Sequence, residues 1–310
     1  MSGEDVRSTR HPVIYLLLIL IVVFLGFALI GPLIGFLITK PYVPGTFEDY
    51  LNALQNLSEH PELKIQVYVL QGCSTLVGLI IAPILMLSTQ KKNISEFFGL
   101  NRLQVVPVIV TVFIVITFML VNSVFIAWNA NLHFPEFMRG FEEWAKAKEK
   151  LAEETTRMLT QFDSIGELML AILVIALLPA IGEELVFRGM IQNEFYRGTK
   201  NIHVSIWVSA VLFSAIHMQF FGFVPRVLLG ALFGYLYHWS GQLSIAIVAH
   251  FVNNAFQVLM LYVAQGGYVD REVVESSDAL PWPGVAAGTV ATILLLHYFH
   301  RYYQTKEITS

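Results

Sequence analysis

The chain has 310 residues, 55% of them hydrophobic and only 14% charged, with a mean hydropathy of +0.63 and a formal net charge of −4. That balance is too apolar for a water-soluble domain of this length, and the slight acidity argues against a nucleic-acid partner. A single cysteine, Cys73, excludes an intrachain disulfide framework and a cysteine-rich zinc site.

The apolar residues come in blocks long enough to cross a bilayer, which takes ~20 residues per helix. They predict an all-α, polytopic membrane helical bundle of about eight transmembrane helices, near 12–39, 64–88, 104–127, 165–190, 203–220, 223–239, 242–264 and 281–300. The first run is too long for a signal-peptide core and reads as a retained helix, broken or tilted near Gly31-Pro32. Cys73 falls inside the second run, as a small buried residue. The fifth and sixth runs are short, and AIHMQFFGFVP at 215–225 reads as a turn held inside the protein.

Two connections, 40–63 and 128–163, are long and extramembrane. The second carries Phe137, Phe141, Trp144, Ala145 and Leu151 on one helical face, which predicts an amphipathic helix lying on the membrane surface or packed on the bundle. No repeat or low-complexity linker interrupts the chain, so 1–310 is expected to be a single integral domain. Arg7, Arg10, Lys91, Lys92, Arg102, Arg197 and Lys200 mark the short loops as inner ones, which places both termini in the cytoplasm.

Three polar constellations interrupt these apolar helices. In LPAIGEELVFRG, residues 178–189, Glu184 and Arg188 are four apart and can pair. Glu183 points ~100° away, onto the face of Phe187, and stays free. In FSAIHMQF, Phe213 and His217 are four apart; in AHFVNNAF, so are His250 and Asn254. Measured from the polar turn near Gly198, Glu183 and His217 lie ~22 and ~28 Å along their helices, and His250 lies about 13 Å beyond WSGQ. All three reach into the membrane from one side. Intramembrane ionisable groups are costly and usually mark a site, although a lone histidine or an asparagine pair also serves as interhelical glue.

A carboxylate beside an imidazole can deprotonate water, and a histidine with an asparagine amide can stabilise an oxyanion. That set suits amide hydrolysis. The same Glu and His types also ligate zinc. Neither HExxH, nor a GxSG-type nucleophile, nor GxGD occurs.

EELVFR fits EExxxR, FSAIH fits FxxxH and HFVNN fits HxxxN, in order and on separate apolar segments. The stretch 165–260 therefore resembles the CPBP family, which includes type II CAAX prenyl endopeptidases and bacteriocin-processing or immunity relatives. The resemblance implies an intramembrane endopeptidase acting on a membrane-associated or lipidated peptide or protein in the lipid bilayer, here that of a bacterial inner membrane. It implies that Glu183 and His217 activate water and that His250 and Asn254 stabilise the oxyanion. Glu184, Arg188 and Phe213 would then orient the site or bind substrate. The family has been described both as metal-dependent and as glutamate-dependent. The expectation here is a metal-free site, since asparagine is a poor zinc ligand and only two motif histidines are present, with zinc kept as the alternative. The alternative function is a non-catalytic scaffold or bacteriocin-immunity protein of the same fold. A proton-coupled transporter fits less well, because the buried charges concentrate in one helix.

Overall fold

The structure is a computed structural model that describes residues 11–43, 45–55, 57–89, 93, 97–98 and 103–309. Arg7, Arg10, Lys91, Lys92 and Arg102 lie outside the described residues. The helices are α1 (Pro12–Tyr42), α2 (Phe47–Gln55), α3 (Pro61–Ser88), α4 (Val105–Ala130), α5 (Arg139–Leu159), α6 (Ile165–Thr199), α7 (Ile202–Ala215), α8 (Phe220–Ser240), α9 (Leu243–Gln265), α10 (Arg271–Glu275) and α11 (Trp282–Thr309). The described residues contain no strand.

Seven of these helices, α1, α3, α4, α6, α8, α9 and α11, are long and apolar enough to cross a membrane. The segment expected to span at 203–220 is shorter: α7 has 14 residues and ends at Ala215. At 1.5 Å per residue it reaches only ~21 Å, short of a ~30 Å hydrocarbon core. A turn with Met218 at φ 55° then leads into α8. The two helices form an antiparallel hairpin. His203 Nδ1 meets the Tyr235 hydroxyl at 2.7 Å near one end, and Ser214 Oγ donates to the Phe223 carbonyl at 2.8 Å near the other. A hairpin leaves and returns on the same side, so the chain passes α7 and α8 without changing which face comes next.

Prolines shape three of the spans. Pro32, Pro83 and Pro179 each follow a π-helical turn, at Gly26–Ile30, Leu76–Ile81 and Ile172–Leu177 respectively. Proline cannot donate to the carbonyl four residues back and its ring crowds that carbonyl. Widening the preceding turn lets the helix continue past it. The expected break near Gly31-Pro32 is thus a wide turn within a continuous α1. Close packing of α1 on α3 depends on small residues: a Cβ on Gly78 would lie 2.3 Å from the Phe27 nitrogen, and one on Gly26 would lie 2.7 Å from the Gly78 Cα. Cys73, expected to be buried, is only half-buried on α3.

The amphipathic helix expected in 128–163 is α5. Its C-terminal Met158 and Leu159 enter a core with Tyr50, Leu63, Tyr68 and Phe162. Of the expected apolar face, Ala145 is buried and Phe137 is 85% exposed. Phe141 instead packs edge-on against Phe220, the first residue of α8. Helix α9 packs on α4, α6 and α8 together, and this central position makes it the meeting point of the three motifs.

Candidate active site

Glu184 and Arg188 project from successive turns of α6, and both are sealed from solvent, at 0% and 1% side-chain exposure. Arg188 Nη1 donates to Glu184 Oε1 at 2.8 Å. Its Nη2 donates to the Gly230 carbonyl of α8 at 2.7 Å. That contact needs glycine: a Cβ on Gly230 would meet Arg188 Nη2 at 3.2 Å and Ala210 Cβ at 3.1 Å. The guanidinium also lies over two rings, 4.8 Å from the Phe213 centroid and 5.6 Å from that of Phe233. Such a cation is tolerated in an apolar interior because an anion, a carbonyl and two π faces share it.

The partner that sequence spacing did not reveal is His250 on α9. Its Nδ1 lies 2.7 Å from the same Glu184 Oε1. The imidazole stacks on Phe233 at 5.4 Å and meets Phe213 edge-on at 5.9 Å. A carboxylate only accepts, so Nδ1 carries the proton and Nε2 is the nitrogen presented to the site. That Nε2 stands 3.8 Å from Glu183 Oε2.

Glu183 therefore differs from its neighbour in both contacts and access. Its side chain is 15% exposed, and among the described residues its nearest basic group is the His250 Nε2 at 3.8 Å, beyond hydrogen-bond distance. His217 sits in the turn after α7, with Nδ1 2.8 Å from the Phe213 carbonyl and its ring edge-on to that of Phe213. A carbonyl also only accepts, so His217 too presents an unprotonated Nε2 when neutral. Glu183 and His217 make no nitrogen–oxygen approach within 4 Å; the imidazole that comes within that distance of Glu183 is His250.

Asn254 lies one turn beyond His250 on α9, and its Nδ2 donates to the Ile175 carbonyl at 3.3 Å. Ile175 is four residues before Pro179, which has no N–H to offer it. The asparagine thus ties α9 to the wide turn of α6. Its Oδ1 accepts from Asn253 Nδ2 at 3.0 Å, leaving one amide N–H uncommitted.

Three further residues on α4 and α8 went unnoticed as site residues in the sequence. Asn129, fully buried on α4, donates to the Phe220 carbonyl at 3.1 Å and accepts from the Val224 N–H at 2.7 Å. Asn122 donates to the Pro225 carbonyl at 3.3 Å. They satisfy main-chain groups at the start of α8, which lipid could not. Arg226 on α8 lies within electrostatic reach of Glu183 and His217. A polar residue late in an apolar span, and an arginine beside a predicted turn, were the only signals available.

Among the described residues, no three His, Cys, Asp or Glu side chains converge closely enough to ligate one ion.

Residues 165–256 match the family model described as type II CAAX prenyl endopeptidase Rce1-like. Two proteins of Bacillus subtilis (strain 168) are similar to part of this chain. "Uncharacterized protein YpbD" is 30% identical over 88 residues, covering 27% of this chain and 42% of that one. "Putative membrane peptidase YdiL" is 25% identical over 122 residues, covering 39% and 50%. The chain spans about half the length of the curated relatives it matches. No solved structure matches it.

Proposed function

We propose that this integral membrane protein, with its Rce1-like segment 165–256, is an intramembrane endopeptidase that hydrolyses a peptide bond in a membrane-associated or lipidated substrate. The observation that carries the reading is the unequal treatment of two adjacent carboxylates. Glu184 is neutralised by Arg188 and accepts from His250, whereas Glu183 is partly exposed and stands 3.8 Å from the His250 Nε2.

In this mechanism one water lies between Glu183 and His217. It donates one proton toward Glu183 and the other toward His217 Nε2, which leaves an oxygen lone pair for attack. Glu183 removes a proton as the new C–O bond forms, and the carbonyl π pair moves onto oxygen. The uncommitted N–H of Asn254 donates to that oxyanion, joined by His250 Nε2 when the imidazole carries a second proton. As the C–N bond breaks, Glu183 returns its proton to the leaving amine. Glu184 and Arg188 hold His250, and Phe213 holds His217 through its carbonyl and ring. We place the chain in a bacterial inner membrane with both termini inside. The basic short loops and the returning α7–α8 hairpin support that placement.

The test is cleavage of lipidated peptides by the purified protein in liposomes. Glu183→Gln should abolish turnover while leaving the melting profile intact, and chelation should leave the wild-type rate unchanged. Wild-type rates from Glu183→Gln would remove the base assignment. Loss of activity on chelation, restored by zinc, would overturn the metal-free mechanism.

A further inference from the structure

The mechanism leaves α5 unused, yet α5 reaches the site. Phe141 of α5 and Phe134 just before it close on Phe220, with ring centroids 5.6 and 4.8 Å away. Two turns further along α5, Glu149 is half-buried. Its Oε2 is sealed from solvent without a hydrogen-bond partner. Arg226 on α8 mirrors it: Nη2 donates to Gln219 Oε1 at 2.8 Å, while Nη1 is buried and has no partner. The two charges feel one another, but they form no ion pair within 4 Å.

A guanidinium N–H shut away from water is costly unless an acceptor meets it. Two protein carboxylates are near and neither takes it. Glu183 is the free carboxylate of the hydrolytic site. Glu149 is a reluctant counterion: burial pushes its carboxyl up, against the pull of the Arg226 charge and the Phe221 backbone N–H. What the unpartnered Nη1 fits is another carboxylate, whose planar group matches a guanidinium better than a point anion does.

We propose that Arg226 receives a carboxylate of the substrate beside Glu183, and that Glu149 on α5 guards this position until the substrate arrives. Calling the ligand a substrate rests on the protease reading above; the anion site does not.

Binding is therefore measured apart from turnover, on full-length Glu183→Gln protein in nanodiscs. The probes are an N-dodecanoyl Ala-Leu-Leu peptide with a free C-terminus, its C-terminal amide, and dodecyl phosphate. The acid is expected to bind about tenfold more tightly than the amide. Added Arg226→Gln should erase that ratio, and added Glu149→Gln should tighten the acid several-fold. If Arg226→Gln does not fold, Arg226→Lys, a charge without the fork, should cut the ratio at least threefold. Equal affinities, no binding of the acid, or a ratio that survives both Arg226 variants would overturn the proposal. So would dodecyl phosphate binding as tightly as the acid through Arg226, which would assign the site to a lipid head group. The same two peptides given to wild-type protein separate the readings: an acid preference without cleavage sinks the protease and keeps the anion site.

Discussion

Replacing Arg188 by glutamine removes the guanidinium while keeping much of the side chain's length. Three contacts go at once: the 2.8 Å bond to Glu184, the 2.7 Å bond to the Gly230 carbonyl, and the approach to the Phe213 face. Removing one partner of a buried pair leaves an uncompensated charge and costs ~3–5 kcal/mol. Because His250 still meets Glu184 at 2.7 Å, the lower end of that range is expected. Adding Glu184→Gln removes the stranded charge, so the double variant should recover ~2 kcal/mol of the loss. Equilibrium unfolding in mixed micelles, followed by tryptophan fluorescence, supplies the double-mutant cycle. A single Arg188→Gln variant within ~1 kcal/mol of wild type, or strict additivity of the two substitutions, would show that the pair is not shielded from water as described.

Asn129→Leu leaves the Phe220 carbonyl and the Val224 N–H without partners, at ~1–3 kcal/mol each. Loss of amide-exchange protection at Val224 checks it, and an unchanged rate there counts against the role given to α4. Gly78→Leu cannot fit against Phe27 and should part α1 from α3 at a cost of ~1–3 kcal/mol or more; wild-type stability would contradict the close approach. Outside the membrane, Thr46 donates its backbone N–H and its hydroxyl to Asp49 at the start of α2. These bonds hold the Asp49 carboxyl below its ordinary value of 3.8. A lowered folded-state pKa means that the contribution is present above 3.8 and fades as pH falls through the lower folded value. The first turn of α2 should therefore fray on acidification, and Thr46→Ala should move Asp49 back toward 3.8 by NMR titration. An unmoved titration would discount the cap.

The sequence carried the apolar runs and the contacts that repeat every four residues. Glu184 with Arg188, and Phe213 with His217, were legible because a helix turn brings those positions together. It did not carry the contact between Glu184 and His250, which are 66 residues apart. Helical periodicity says which face a residue occupies and nothing about which helix lies opposite. For that reason the expected meeting of Glu183 with His217 appears instead as an approach of Glu183 to His250 at 3.8 Å. Asn129 was hidden differently: its partners are main-chain groups of a turn, and main-chain groups leave no trace in side-chain patterning. The short reach of α7 was foreshadowed by the ambiguous 215–225 segment, where an apolar composition masks an irregular backbone.

The wide turn at Ile172–Leu177 has a consequence for insertions and deletions. A π turn holds one residue more than an α turn. Deleting a single residue there would let the turn tighten to an α turn and keep the helix beyond it in phase, whereas a deletion between Pro179 and Glu183 meets no such slack and would rotate everything beyond by ~100° relative to α9. Glu184 would then swing toward the place of Glu183, and Glu183 away from the imidazoles. Of two chemically identical neighbours, the reactive one is chosen by counting: the phase of the regular helix after Pro179 assigns their roles.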